Sequence, residues 1–275
     1  MDRFLPATRV RPHPQLSRHI VVARGELLCI GNHFVHTCLD FLTEQPIATH
    51  NLGELSGQPC GVHLLAEAGD FPGRAWRGLR SLLGAVNDEM FALAGRALQV
   101  VSWDCDHRFC GRCGRATEYS PAGERARICP SCELVVYPRI SPCVIMLVTR
   151  GEECLLARHT HHRHGLFTAL AGFIEPGESA EQAVAREVRE EVGVSVGQPH
   201  YVGSQPWPFP GQLMLGYRVP WKGGDLSLDP GEIADARWFN YRELPGEIPP
   251  PQTLSGQLIR GFAAAASGNP SEMER

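Results

Sequence analysis

Three hydrophobic patterns succeed one another along the chain. In residues 1–100 short apolar runs at 20–23, 27–30 and 61–66 are bounded by Gly and Pro, which predicts short strands. Within 76–95 the period changes. Leu79, Leu82, Leu83, Val86, Met90, Phe91 and Leu93 recur at helical spacing and predict a helix. Beyond Arg139 continuous runs return. Residues 143–149 read as a buried strand, 154–158 as its hairpin partner across Arg150-Gly-Glu, and 166–171 lead into the next element.

That next element is the sharpest in the chain. Ala180, Val184, Val188 and Val192, with Ala185, form one apolar stripe at helical spacing. Ser179 stands at the N-cap with Gln182 three residues on, the spacing of a capping box. Gly193 lies where a left-handed C-cap favours glycine. The opposite face is acidic. Glu187 and Glu191 are four apart and stand one turn above each other, Glu190 is three from Glu187, and Glu178 sits just before the cap. Like charges at this spacing cost an isolated helix roughly 0.2–0.5 kcal/mol per pair. One reading is a solvated face in which Arg186 offsets Glu190 at i+4. The other is a metal face: hard oxygens grouped after a Gly- and Pro-shaped loop (172–177) suit Mg²⁺ or Mn²⁺, which share their shell with substrate phosphate.

Ten cysteines change the picture upstream. Cys110-Gly-Arg-Cys113 and Cys129-Pro-Ser-Cys132 have the spacing of a four-cysteine zinc ribbon, two knuckles meeting one metal. Two redox dithiols or four unrelated thiols account for the matched pair less well. Cys29, Cys38 and Cys60 read as core thiols. Near-neutral charge around the ribbon favours a structural clamp over a grip on nucleic acid. The start of the chain lacks a long apolar run, so no secretory signal is expected. The thiol content then argues for metal rather than disulfides, and for a cytoplasmic location. The longest apolar run, 143–148, is far short of a membrane span. A net charge of −4 gives no global drive toward nucleic acid or membrane. His159-Thr-His161-His162-Arg163-His164 reads as a solvated loop in preference to a second metal site. At 204–210 three prolines alternate with Gln205, Trp207 and Phe209. This predicts a stiff extended loop: a turn on the core, a ligand for an SH3 domain, or a platform for a flat ring.

The stretch from Gly172 to Val194 resembles the Nudix box, G-x5-E-x7-R-E-U-x-E-E-x-G-U with U apolar, at Gly172, Glu178, Arg186, Glu187, Val188, Glu190, Glu191, Gly193 and Val194. With Ser-Gln-Pro-Trp-Pro-Phe-Pro just after the box and a zinc ribbon before it, the chain resembles the NADH pyrophosphatase (NudC-type) subfamily of Nudix hydrolases from about Arg80 to Ile259. Residues 1–100 fit that subfamily's variable domain only loosely.

The resemblance implies an α/β/α Nudix sandwich preceded by a zinc ribbon and a small N-terminal α+β domain. The expected boundaries are 1–103, 104–138 and 139–267, with a tail at 268–275. It implies a homodimer that hydrolyses the pyrophosphate of NAD(H) to NMN(H) and AMP with Mg²⁺ or Mn²⁺, and that also removes NAD caps from RNA 5′ ends. By motif position Glu187 and Glu191 become metal ligands, with the Ala171 carbonyl and Glu232 completing the shell. Glu190 becomes a ligand or base, and Arg186 steers the glutamates. Tyr137 and Phe173 correspond to a ring-stacking pair for nicotinamide. Gln205, Pro206, Trp207, Pro208, Phe209, Pro210, Gly211 and Gln212, with Ser255, correspond to substrate contacts, and Arg24 and Arg80 to groups reaching phosphate or ribose. The family pattern runs Pro-x-Ser after the last aromatic; here a longer amide, Gln212, stands at the serine position. Two rival classes are a Nudix hydrolase of another substrate such as ADP-ribose, and a zinc-ribbon RNA-binding module with a vestigial box. The intact glutamates and the 204–210 motif argue against both.

Overall fold

Short apolar runs cut by turns give the described residues up to Gly78 seven strands: β1 (Phe4–Pro6), β2 (Arg18–Ala23), β3 (Glu26–Cys29), β4 (Val35–His36), β5 (Ala48–Leu55), β6 (Gln58–Leu64) and β7 (Ala75–Gly78). The structure is a computed structural model that describes residues 3–7, 15–160 and 165–268. His161, His162 and His164 of the histidine-dense segment lie outside the described residues. The seven strands form one sheet in the order β1-β5-β6-β2-β3-β7, with β4 also on β2. Only β2 and β6 run parallel. Ile20, Val22, Leu27, Phe34, Leu52 and Val62 turn one core against Leu93, Ala94, Ala97 and Val101 of α1 (Asp88–Asp106).

The helix expected over 76–95 begins later. Residues 79–82 make a single 3-10 turn that buries Leu79 and Leu82, Gly84 adopts φ +75°, and Asn87 caps α1 by accepting from the Met90 N–H at 2.9 Å. A tight turn satisfies the same apolar spacing as a helix over so short a run. After α1 comes a three-stranded antiparallel ribbon, β8 (Glu118–Tyr119), β9 (Arg127–Ile128) and β10 (Val135–Val136), in the order β10-β9-β8. Sheet, α1 and ribbon form the first of two units, which spans 1–139 and includes Pro208–Gly211. Pro208 seats on α1 at Gly95, where a Cβ would come within 2.6 Å of the proline Cγ. Phe209 lies against Phe91, ring centroids 6.4 Å apart.

The second unit spans 140–207 and 212–275. Its strands are β11 (Ser141–Arg150), β12 (Glu153–His159), β13 (Leu170–Phe173), β14 (Ser195–Val196), β15 (His200–Trp207), β16 (Gln212–Gly223) and β17 (Ile233–Asn240); its helices are α2 (Ala180–Val192) and α3 (Leu254–Ala266). The sheet order is β14-β16-β11-β12-β17, with β13 on β11 and β15 on β16. Alternation along β11 sends Val144, Met146 and Val148 to the α2 side, where they meet Val184, Val188 and Val192. Ile145 and Leu147 go to the other face, against Leu254, Leu258, Ile259 and Phe262 of α3. This is an α/β/α sandwich.

The stiff loop expected at 204–210 is largely strand. β15 runs through Trp207 with Pro206 paired to Leu213, and only 208–211 turn, with a cis Phe209–Pro210 peptide. Among the described residues β15 pairs with β16 alone, so the missing proline N–H breaks no second ladder. Among the described residues no helix is long and apolar enough to cross a membrane.

Candidate active site and zinc centre

The acid face is built by α2 and by the strand that precedes it. Ser179 Oγ accepts the Gln182 N–H at 3.3 Å, and Gln182 Oε1 accepts the Ser179 N–H at 2.8 Å, so the capping box is complete. Gly193 closes the helix at φ +78°. Upstream, Gly172 of β13 pairs with Val144 of β11. A Cβ at Gly172 would lie 1.9 Å from Glu187 Cδ and 2.1 and 2.3 Å from its two oxygens. The Glu187 carboxylate thus rests against a bare backbone, and the first glycine of the box is a steric requirement.

Arg186 organises the other carboxylates. Its Nε and Nη2 donate to Glu178 at 2.8 and 2.9 Å, its Nη1 to Glu187 and Glu190 at 2.8 and 2.9 Å, and its Nη2 also to the Phe173 carbonyl at 2.8 Å. Glu191 is left out of this set. It is 2% exposed, and its Oε2 has no hydrogen-bond partner among the described residues. Burial, then the charges of Glu187, Glu232 and Glu190, push its carboxyl up to about 8. Burial also raises Glu187, against the pull of Arg186. A buried carboxylate without a partner is costly. A divalent cation bound there would remove that cost, and a set of hard oxygens suits Mg²⁺ or Mn²⁺. Ala171 lies on β13 beside Gly172, paired with Ile145. Glu232, exposed just before β17, contributes its charge to Glu191.

The ribbon's four sulfurs are tighter. Among the described residues they are the one group of three or more potential ligands whose donor atoms all lie within 4.8 Å of one another. Cys110 and Cys132 Sγ are 3.5 Å apart, as are Cys113 and Cys129 Sγ. Zn–S bonds of about 2.3 Å in a tetrahedron separate the sulfurs by about 3.8 Å, so the thiolates are already placed for zinc. The Arg112 N–H points at Cys110 Sγ at 3.4 Å. Backbone N–H groups of Cys132 and Ser131 help to hold the Cys129 thiol down at about 6. Four thiolates leave no open position, so this zinc is structural.

The remaining predicted residues divide between the units. Tyr137, 54% exposed, belongs to the first unit, and its hydroxyl donates to Glu124 at 3.1 Å. Pro208, Phe209 and Pro210 line a cavity of about 500 Å³ in the first unit together with Arg24 and Arg80, and the Arg80 guanidinium lies 4.2 Å from the Phe209 ring centre. Arg24 is ion-paired with Glu67. Gly211 also belongs to the first unit, where a Cβ would meet the Arg139 carbonyl at 3.3 Å. In the second unit Phe173 exposes its ring, and Trp207 and Gln212 face each other across the β15–β16 ladder, beyond Pro206. Gln205 has both ends of its amide occupied, donating to the Gln252 carbonyl at 2.6 Å and accepting the Leu254 N–H at 2.8 Å. Ser255 is buried and accepts the Ala169 N–H at 3.1 Å. These two side chains fasten α3 to the sheet. Glu124, which holds Tyr137, was not among the residues the sequence singled out; a lone glutamate between two knuckles carries no signal of its own.

Three family models match the chain: a NUDIX domain at 138–258, an NADH pyrophosphatase zinc ribbon domain at 106–137 and an NADH pyrophosphatase-like rudimentary NUDIX domain at 17–103. The chain is 46% identical over 232 residues to "NAD-capped RNA hydrolase NudC" of Stutzerimonas stutzeri (strain A1501), covering 84% of this chain and 82% of that relative. It is 45% identical over 262 residues to the protein of the same name from Pseudomonas putida (strain GB-1), covering 94% of each. Among solved structures, a NUDIX hydrolase from Nitrosomonas europaea superposes with a TM-score of 0.51 at 25% identity, over 59% of this chain and 94% of that one. The chain belongs to the NudC-type NADH pyrophosphatases of the Nudix hydrolase family.

Proposed function

We propose that this protein hydrolyses the pyrophosphate of NAD(H) to NMN(H) and AMP and removes NAD caps from RNA 5′ ends by the same cut. The observation that carries the reading is Glu191, buried on a fully capped helix near the charges of Glu187, Glu190 and Glu232, with no hydrogen-bond partner for its Oε2 among the described residues. Water adds to one phosphorus, and the bridging oxygen leaves with the other phosphate. Bound Mg²⁺ or Mn²⁺ would screen the pyrophosphate charge and acidify the attacking water. Glu187 and Glu191, with the Ala171 carbonyl and Glu232, would hold the cation, and Glu190 is a further ligand or the base. Arg186 orients these carboxylates through its hydrogen bonds to Glu178, Glu187 and Glu190. Tyr137 and Phe173 each offer an exposed ring to the nicotinamide. Arg24, Arg80, the 205–212 stretch and Ser255 are the proposed surroundings of the rest of the substrate.

The four-part division at 103, 138 and 267 and a homodimeric state are proposed with the same reading. So is a cytoplasmic location, which the gathering of four of the ten cysteines into one zinc-type cluster supports. The test is incubation of purified protein with NADH, ADP-ribose and NAD-capped RNA plus Mg²⁺ or Mn²⁺, with products separated by chromatography. NMNH and AMP from NADH, and a 5′-monophosphate RNA from the capped RNA, are expected. Cleavage of ADP-ribose with NADH left intact would overturn the substrate assignment.

A further inference from the structure

A second set of buried polar groups lies far from the acid helix in sequence, inside the first unit, where the ribbon meets α1 and β5. The run Arg125-Ala-Arg127 leads into β9, which begins at Arg127, and both arginines are buried. Arg127 Nε and Nη2 donate to Asp104 Oδ1 at 2.8 and 2.6 Å, and Nη1 donates to the Thr117 carbonyl and hydroxyl at 3.2 Å each. The Arg127 guanidinium lies 4.5 Å from the Tyr119 ring centre. Asp104, in the last turn of α1, is 1% exposed, and its other oxygen is 3.4 Å from His50 Nε2 of β5. Arg125 reaches the other way and donates to the Asn51 carbonyl of β5 at 2.8 Å. Trp103, next to Asp104, is buried and donates its indole N–H to the Val136 carbonyl at 3.3 Å.

These contacts converge on one residue. Val136, held by Trp103, immediately precedes Tyr137. Glu124, which accepts the Tyr137 hydroxyl, immediately precedes Arg125. The carbonyl before Tyr137 is thus held by α1, and its hydroxyl by Glu124, whose neighbour Arg125 is fastened to β5, while its ring stays open to solvent. A closed four-thiolate zinc site folds a ribbon without any such network. A buried ion pair is also weak evidence for stability, since desolvation offsets much of the attraction. Its forked, short bonds do fix one geometry, and here the geometry fixed is that of an exposed aromatic ring.

We infer that Asp104, Arg127 and Trp103 are positioning residues for Tyr137: through the ribbon they set the place at which its ring meets the substrate. This rests on the proposed function, in which Tyr137 contacts the nicotinamide. A small misplacement of a substrate-contacting group is enough to lower turnover.

The test is a double-mutant cycle on the full-length, zinc-loaded protein, reading kcat/KM for NADH. Asp104→Asn, Arg127→Lys and Trp103→Phe are each made in the wild type and in Tyr137→Ala. In the wild type each is expected to lower kcat/KM about three- to tenfold. In Tyr137→Ala each is expected to change it by less than about twofold, because the ring they position is gone. Zinc content should stay at one per chain throughout. Equal losses in both backgrounds would overturn the inference, since the network would then act by a route other than Tyr137. So would full activity of all three single variants. If Asp104→Asn does not fold, Trp103→Phe decides the same question, for it keeps an aromatic ring and every charge while removing the indole N–H and part of the ring volume. If Tyr137→Ala itself leaves kcat/KM unchanged, both the inference and the ring contact fall. A large loss in Glu191→Gln from the same series would still leave the hydrolase reading standing.

Discussion

In the first sheet β2 runs parallel to β6 and antiparallel to β3 and β4. In the second, β11 runs parallel to β16 and antiparallel to β12 and β13. The correspondence continues outward. β3 leads to β7 as β12 leads to β17, β5 pairs with β6 as β15 pairs with β16, and a long helix follows each sheet, α1 or α3. The plans part at one place. Between β13 and β15 the second unit inserts α2 and β14, whereas between β4 and β5 the first unit has residues 37–47 and no helix. The sheet plan is therefore a scaffold that folds with or without an acid helix, and the cluster of Glu187, Glu190 and Glu191 comes with α2 alone. Among the described residues the first unit buries a different polar set: three histidines, His36, His50 and His63, and a single carboxylate, Asp104, that is paired with Arg127.

The comparison breaks most directly at Glu191. Glu191→Gln keeps size and removes the charge, and we expect a folded protein with at least about a hundredfold lower kcat, since metal stabilisation of phosphoryl charge is worth several kcal/mol. Activity within about threefold of wild type would show that α2 does not set the chemistry apart. At the ribbon, Cys113→Ser is expected to lower Tm by on the order of 5–10 °C, with activity falling only as a consequence of unfolding. Freshly purified protein without one zinc per chain by elemental analysis would refute the closed site. In the first unit, Gly95→Ala forces a methyl into Pro208, and overpacking of this kind costs about 1–3 kcal/mol. Denaturant titration should register it, whereas an unchanged midpoint would mean that Pro208 is not seated on α1 in solution.

The smallest effect is the most specific to the comparison. Burial, then His19 and His50, hold His63 down at about 4 from an ordinary 6.5. The fold refuses a proton that the unfolded chain takes up below pH 6.5, so the first unit should lose stability as pH falls from 6.5 toward 4. Glu191 runs the other way, raised from 4.5 to about 8. Metal-free protein keeps a proton there that the unfolded chain releases. That contribution is fully present below pH 4.5 and is lost as pH rises through 8. Hydrogen exchange on metal-free protein at pH 5 and 7.5, corrected for intrinsic rates, should show β6 less protected and α2 more protected at the lower pH. Movement of both in the same direction would sink the contrast.

What was legible in the sequence follows from how local each signal is. Ser179, Gln182 and Gly193 mark the ends of α2 because caps are decided by neighbours a few residues apart, and the structure closes that helix on the same residues. The ribbon is legible for the same reason, each knuckle being four residues long. The α1 boundary is not, because Leu79 and Leu82 bury equally well in a 3-10 turn and the stop comes from Asn87 and Gly84, which the apolar count ignores. The strand character of 204–207 is hidden by prolines that an edge position tolerates. Glu124, Asp104 and Arg127 could not be singled out, since each acquires its meaning from a partner 13 to 23 residues away. The shared strand plan leaves no trace that a single sequence can show.

Gly172 has a consequence for mutation itself. The space a β-carbon would fill is taken by the Glu187 carboxylate. Every single-base change that replaces a glycine codon's amino acid introduces a side chain with a β-carbon or ends the chain. Position 172 therefore has no conservative neighbour one step away, and a lineage that left glycine there would have to shift Glu187 in the same move. Exposed positions of α2 outside the fixed letters of the box, such as Glu181 and Ala185, are free to drift, but at residue 172 substitution meets a wall made by the Glu187 carboxylate.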